Sequence, residues 1–343
     1  MMGGFQALVD AIQHNCHIAD AQHAREMTLC TYLLEMREFY RWEAGIPLGD
    51  PLARAEVGNW LSEREALWEG LVDTGFVPLP LGGEQHEPFA VDAINRTLLP
   101  QGLVYGAGIG RFGKPHFFIG RLARHEMQDG LRVMVCECEY ARDLTAIPAA
   151  LQGDAVIVRR EALRQWLWEK AEAWALKRTP GAMAQALAAY DYDRDPRRAL
   201  EQMTAAETDS VILHERGEHA AGRLLGPAWE DMIAGFSRRR PEILVRAVRD
   251  HLADSLVTLP TLLERQAWPQ LWFWLANLDG MRRALVPALA DQDPQKVDAG
   301  GTALQAVAQR GVTHWSAVAR HLLTLDETAI DALTHDIGAL ALA

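Results

Sequence analysis

The sequence predicts an α+β chain that is predominantly α-helical, a helical bundle with a small antiparallel β insertion. Three observations carry this. Apolar residues recur at helical spacing over residues 5–43 and 51–73, and again in segment after segment from about residue 160 to the end. Between these stretches the chain turns glycine-rich and β-tending, and Asp129-Gly130 stands between two extended runs, a strong hairpin signal. Pro or Gly punctuates the helical segments of the second half. The division that follows is 1–75 as N-terminal helices, 76–160 as the β-rich insertion and 161–343 as a C-terminal helical region, the last free to form one compact unit with 1–75.

The elements follow in order. Residues 5–43 read as a first helix, closed by Gly45 and Pro47. A second helix near 51–73 carries Trp60, Leu61, Leu67, Trp68 and Leu71 at helical spacing. Pro78, Pro80, Gly82 and Gly83 mark a loop. Phe117–Met127 and Leu131–Tyr140 flank the hairpin turn, and residues 154–158 form one more strand. Helices are expected near 160–178, 181–190, 196–225, 227–236, 241–258, 260–276, 279–291 and 301–342.

Composition narrows the function classes. Of 343 residues 49% are hydrophobic, enough for a substantial core, and the net charge of −12 argues against nucleic acid or an anionic membrane as a partner. The short run Arg238-Arg239-Arg240, followed by Pro241, reads as a solvated loop. The greasiest stretch, Leu271 to Ala276, falls far short of the roughly 18 apolar residues that span a bilayer. No basic region followed by an apolar run opens the chain, because His14 and Asp20 interrupt it. Four cysteines without a CxxC spacing support neither a disulfide framework nor a zinc finger. The expectation is a soluble cytoplasmic protein, open to a small-molecule partner and to self-association.

The densest chemistry lies in His214-Glu215-Arg216-Gly217-Glu218-His219. Residues four apart share a helix face, so His214 pairs with Glu218 and Glu215 with His219. Glu207, two turns upstream, extends the first edge. A stripe of imidazole and carboxylate aimed inward is how helical bundles build metal sites. The spacing excludes two protease motifs, since a zincin needs a second His where Glu218 stands and an inverzincin needs His at the position of Glu215. On the first helix, His17 and Asp20 sit in a stripe with Ala24, Thr28 and Thr31 beside the apolar face. Those compact residues suit a cavity lining or a close helix contact better than a solvated face.

Other signals resolve into structure. Gly108-Ile-Gly-Arg-Phe-Gly113 matches G-x-G-x-x-G, yet Lys114-Pro115 and an extended run follow it where a dinucleotide site needs a helix. It reads as a glycine-rich bend from which Arg111, Lys114 and His116 reach toward an anion. Cys136 and Cys138 share one strand face, and Cys16 and His17, as helix neighbours, point 100° apart and form no dyad.

Two resemblances bear on function. Glu207-x6-His214 resembles part of the helical signature of haem-oxygenase-like di-iron proteins, in which a later helix supplies two histidines flanking a carboxylate. Here His251 with Asp254 is the nearest match, and no second histidine follows at helical spacing. Asn15 to Asp20, Tyr32 to Glu43, Gly106 to His116 and His214 to Glu218 resemble a family of uncharacterised bacterial proteins. That likeness implies a bacterial origin and no particular activity.

The functional expectation is a His/carboxylate metal site assembled where the helix of Glu207, His214 and Glu218 meets the helix of His17 and Asp20, with His251 as a further ligand. Such donors suit a divalent Fe, Mn or Zn ion, and Glu215 is the candidate general base for metal-dependent oxidation or hydrolysis. The alternative is a non-catalytic interaction or structural protein in which the same groups form buried His–carboxylate networks.

Overall fold

The computed structural model describes residues 2–110, 113–290 and 302–342. Its first helix ends earlier than its apolar period suggests. α1 (Met2–His23) gives way to a single 3-10 turn at Ala24–Glu26, and α2 (Leu29–Glu43) starts afresh. The cause is local: the Thr28 side chain accepts from the Thr31 amide at 3.3 Å and caps a new helix. The expected stripe from His17 through Thr31 is therefore not one face of one helix. α3 (Arg54–Glu69), the short antiparallel pair β1 (Leu79–Leu81) and β2 (Glu84–His86), and α4 (Val91–Leu98) follow.

The β region, within the expected 76–160, holds more sheet than a small insertion implies. β3 (Leu103–Ile109), β4 (Pro115–Gln128), β5 (Leu131–Arg142), β6 (Ala149–Gln152) and β7 (Ala155–Arg159) form a five-stranded sheet in the order β3-β4-β5-β7-β6. β3 and β4 pair antiparallel from Leu103 against Arg121 to Ile109 against Pro115. The turn joining β4 and β5 has Asp129 at φ 50° and Gly130 at φ 85°, the left-handed pair that a two-residue hairpin requires.

The expected helical bundle with a small insertion is thus incorrect. The chain is 63% helical, but its β part is a curled, mixed five-stranded sheet accompanied by the separate two-stranded one. The sheet has a core of its own, in which Tyr105, Phe117 and Ile119 pack with Leu8 and Ile12 of α1, and with Leu79 and Ile94.

The helical remainder comprises α5 (Arg160–Lys177), α6 (Ala182–Ala189), α7 (Pro196–Leu225), α8 (Pro227–Ala234), α9 (Arg239–Ala253), α10 (Leu259–Glu264), α11 (Trp268–Ala276), α12 (Gly280–Leu285), α13 (Pro287–Ala290), α14 (Thr302–Leu322) and α15 (Glu327–Leu333). Asp195 caps α7 through the Arg198 amide, Pro196 begins it, and Gly226 at φ 77° ends it. Between α9 and α10 lies a π-helical turn, Asp254–Thr258. Pro260 follows at once; it has no N–H to give and its ring crowds the carbonyl four residues back, which favours a widened turn there.

The chain divides into two compact units: residues 1–128, 132–148 and 157–165 in the first, and 129–131, 149–156 and 166–343 in the second. A second cluster of the first unit joins Ile18, Met36, Phe39, Trp68 and Leu144. The main core of the second unit gathers Trp229, Leu244, Val248, Leu252, Trp315 and Leu322, all essentially inaccessible to water.

Candidate functional site

In the second unit α7 packs along α9 and the π turn. The two run in opposite directions, because His214 faces Asp254 while Glu218 faces Arg249. Gly217 permits this closeness: a Cβ there would lie 2.5 Å from the backbone oxygen of Ala253. A mid-helix glycine costs roughly 1 kcal/mol in propensity, which the packing offsets.

His214 stands at the centre. Its Nδ1 lies 2.8 Å from Asp254 Oδ1, which makes that nitrogen a donor and leaves Nε2 directed at Glu218, 3.6 Å from Oε1. Glu218 Oε1 accepts from Arg249 Nη2 at 2.7 Å, and Asp250 Oδ1 lies 3.8 Å from the same nitrogen. The second oxygen of Asp254 accepts from Trp274 Nε1 at 2.9 Å and from the Arg282 guanidinium. Among the described residues, the His, Cys and carboxyl groups close enough to share an ion are His214, Glu218 and Asp250, whose ligand atoms all lie within 4.8 Å of one another. A quarter of the His214 side chain remains exposed.

The cluster holds more negative charge than its arginines neutralise. Four carboxyl groups, Glu215, Glu218, Asp250 and Asp254, act on one another or on His214, against the guanidiniums of Arg249 and Arg282. Burial, and then the neighbouring Glu218, raise the carboxyls of Glu215 and Asp250. Burial disfavours a charged His214, but Asp254 and Glu218 outweigh it and hold the imidazole protonated well above its ordinary range. Burial likewise opposes ionised Glu218 and Asp254, and is overcome by His214 with Arg249 at the first and by His214 with Arg282 at the second.

The other residues expected at a metal site have different partners. Glu207 is buried on α7 with Oε1 lacking any hydrogen-bond partner; burial pushes its carboxyl up to about 8, against a small opposing effect of Ser210. The His251 ring donates from Nε2 to the Arg282 carbonyl at 2.9 Å and stacks on Trp315, with centroids 4.9 Å apart. Burial and Arg282 lower it to about 3, so it stays neutral. His17 and Asp20 belong to the first unit and are engaged there. Arg64 donates to His17 Nε2 at 2.6 Å, and burial with that guanidinium lowers the imidazole to about 3, so a cation already fills the position a metal would take. Asp20 accepts from Lys114 Nζ and from the Leu144 amide, each at 2.8 Å.

The glycine-rich bend connects β3 to β4, closed by Gly110 N–H donating to Lys114 O at 2.8 Å. Lys114 is spent on Asp20, and His116 Nδ1 on buried Asp143 at 2.7 Å; Arg111 lies outside the described residues. These inward pairings leave neither described side chain directed at an anion.

Sequence reasoning missed Asp250. Its signal was available, because Asp250 and Asp254 are four apart on one helix face, whereas His251 points about 100° away. No second histidine joins His214, so the two-histidine arrangement of the di-iron resemblance is not formed among the described residues.

Fold and site together define an α+β chain with a curled sheet and a helical part that buries a histidine–carboxylate–arginine cluster. Residues 7–159 match the N-terminal domain, and residues 164–342 the C-terminal domain, of a family of unknown function (DUF6866), and the chain belongs to that family. No curated protein and no solved structure matches it. Among the described residues no helix is long and apolar enough to cross a membrane.

Proposed function

We propose that the second unit carries a divalent-metal site held by His214, Glu218 and Asp250. The observation that carries this reading is the aim of His214: Nδ1 donates to Asp254, Nε2 lies 3.6 Å from Glu218, and one ligand atom each of His214, Glu218 and Asp250 lie within 4.8 Å of one another. The separation from Glu218, 3.6 Å, is long for a hydrogen bond but close to the roughly 3.4 Å between two ligands bound about 2.1 Å from a tetrahedral ion. A dication also answers the carboxylate excess. One imidazole and two carboxylates suit iron, manganese or zinc, and three protein ligands leave a coordination position for water or a substrate oxygen. Glu215, buried and raised toward its neutral form, stands beside the ligands as an acid–base group for metal-dependent hydrolysis or oxidation of a small molecule. In this reading the chain is cytoplasmic.

The pairing of Arg249 with Glu218 and of Arg282 with Asp254 favours a second reading, a non-catalytic ion network that ties α7 to α9 and α12. Titrating Mn2+, Fe2+ or Zn2+ into chelator-treated protein separates the two. The metal reading predicts saturable binding with release of protons, because the ion displaces those on His214 and the raised carboxyls. The network reading predicts neither uptake nor proton release, and that result would overturn the metal site.

A further inference from the structure

Asp254 is more deeply buried than the side chains it touches. It is 1% exposed, and it stands at the first position of the π turn. One oxygen accepts a hydrogen bond from His214 Nδ1, while the other accepts from the indole N–H of Trp274 and from the Arg282 guanidinium. Arg282 is fixed in turn, since its backbone carbonyl accepts from His251 and the His251 ring is stacked on Trp315 with planes 16° apart. The backbone on either side of Asp254 is closely packed. Ala253 O lies against Gly217 on one side, Ser255 Oγ lies where a Cβ of Gly311 would stand on the other, and Ser255 Oγ donates back to His251 O at 2.8 Å. π turns inserted in α-helices are frequent at functional sites, where they redirect one side chain.

We infer that Asp254 is the positioning residue of this centre: the π turn presents its carboxylate to His214 Nδ1, and so dictates that His214 binds the ion through Nε2. This rests on the metal reading above. The physical reason is tautomeric. A neutral imidazole carries one ring proton, and a full carboxylate at one nitrogen secures the proton there, leaving the lone pair of the other for the metal and raising its basicity. His251, expected as a ligand, instead acts two contacts away by holding Arg282 on Asp254. Asp254 touches no ion and has no chemical step of its own.

Two measurements on the full chain test the assignment. In histidine-15N-labelled wild-type protein loaded with zinc, the His214 resonances, identified by their loss in His214→Gln, should show a protonated Nδ1 and a metal-shifted Nε2. A protonated Nε2 with zinc at Nδ1 would overturn the assignment, and this readout needs no variant of Asp254. The second measurement is zinc affinity. Asp254→Asn should weaken binding by about 10- to 100-fold, the usual cost of losing a carboxylate behind a ligating histidine, and Trp274→Phe by a smaller factor. Zinc uptake by the wild type with unchanged affinity in Asp254→Asn overturns the positioning role alone. A wild-type chain that takes up no zinc overturns the metal reading and this assignment with it.

Discussion

Glu207 and His214 lie on one stripe of one helix, and burial disfavours the charged form of each; their partners decide which one keeps its charge. His214 has two carboxylates against its ring and keeps a proton. Glu207 is raised to about 8 by burial, against the opposing hydrogen bond of Ser210, with no cation acting on it among the described residues. The consequence for stability has a definite sign. A carboxyl raised on folding contributes stability that is fully present below its unfolded value near 4.5 and is lost as pH rises toward 8, at about 1.4 kcal/mol per pH unit for one proton. Glu207→Gln removes that loss. Urea unfolding should show the variant gaining on the wild type between pH 5 and pH 9 by on the order of 3 kcal/mol. A difference that does not change with pH would show that the Glu207 carboxyl is ionised in the fold. The stripe in the sequence led to Glu207 because spacing gives direction and not partners; nothing in Glu207-x6-His214 tells that one end meets Asp254 and the other meets no counter-charge.

At the scale of elements, the contact between α7 and α9 makes the cluster, and Gly217 is its gauge. Gly217→Ala should destabilise the chain by about 1–3 kcal/mol, because the new methyl meets the Ala253 backbone, although alanine is otherwise the better helix residue. Gly222→Ala, on the same helix with nothing within 4 Å, should stabilise by up to about 1 kcal/mol. Thermal or urea unfolding of the pair checks both, and equal effects would contradict the packing described. Much at this scale was legible. Asp129-Gly130 gave the hairpin, and Asp195, Pro196 and Gly226 bound α7 where its apolar period suggested. The sheet was underestimated at β3, which carries glycines where strands favour branched residues, and at β6, only four residues long, whereas β4, β5 and β7 read as strands. Asp250 was overlooked beside a histidine, and the π turn has no period to read, its one sequence signal being Pro260. The break between α1 and α2 was visible only as Thr28, a cap signal inside a longer apolar pattern.

At the scale of the whole molecule, two family domains coincide closely with a first part built on a sheet and a second built on helices, and the candidate metal cluster lies entirely within the second. Binding energy at such a site is also folding energy. A divalent ion at 100 times its dissociation constant should stabilise the native chain by about 2.7 kcal/mol, visible as a higher unfolding midpoint that a chelator reverses. Affinity should fall on acidification, since protons compete with the ion for His214 and the carboxylate ligands, by about tenfold per pH unit for each proton displaced. The net charge of −12 contributes a long-range attraction for cations that salt weakens. Binding that strengthens as pH falls would contradict the ligand set. The most direct measurement is the metal content of the full chain purified without chelators, set beside that of His214→Ala prepared identically. The expected result is close to one iron, manganese or zinc ion per wild-type chain and little in the variant; a metal-free wild type, or equal content in a folded His214→Ala, would contradict the metal site.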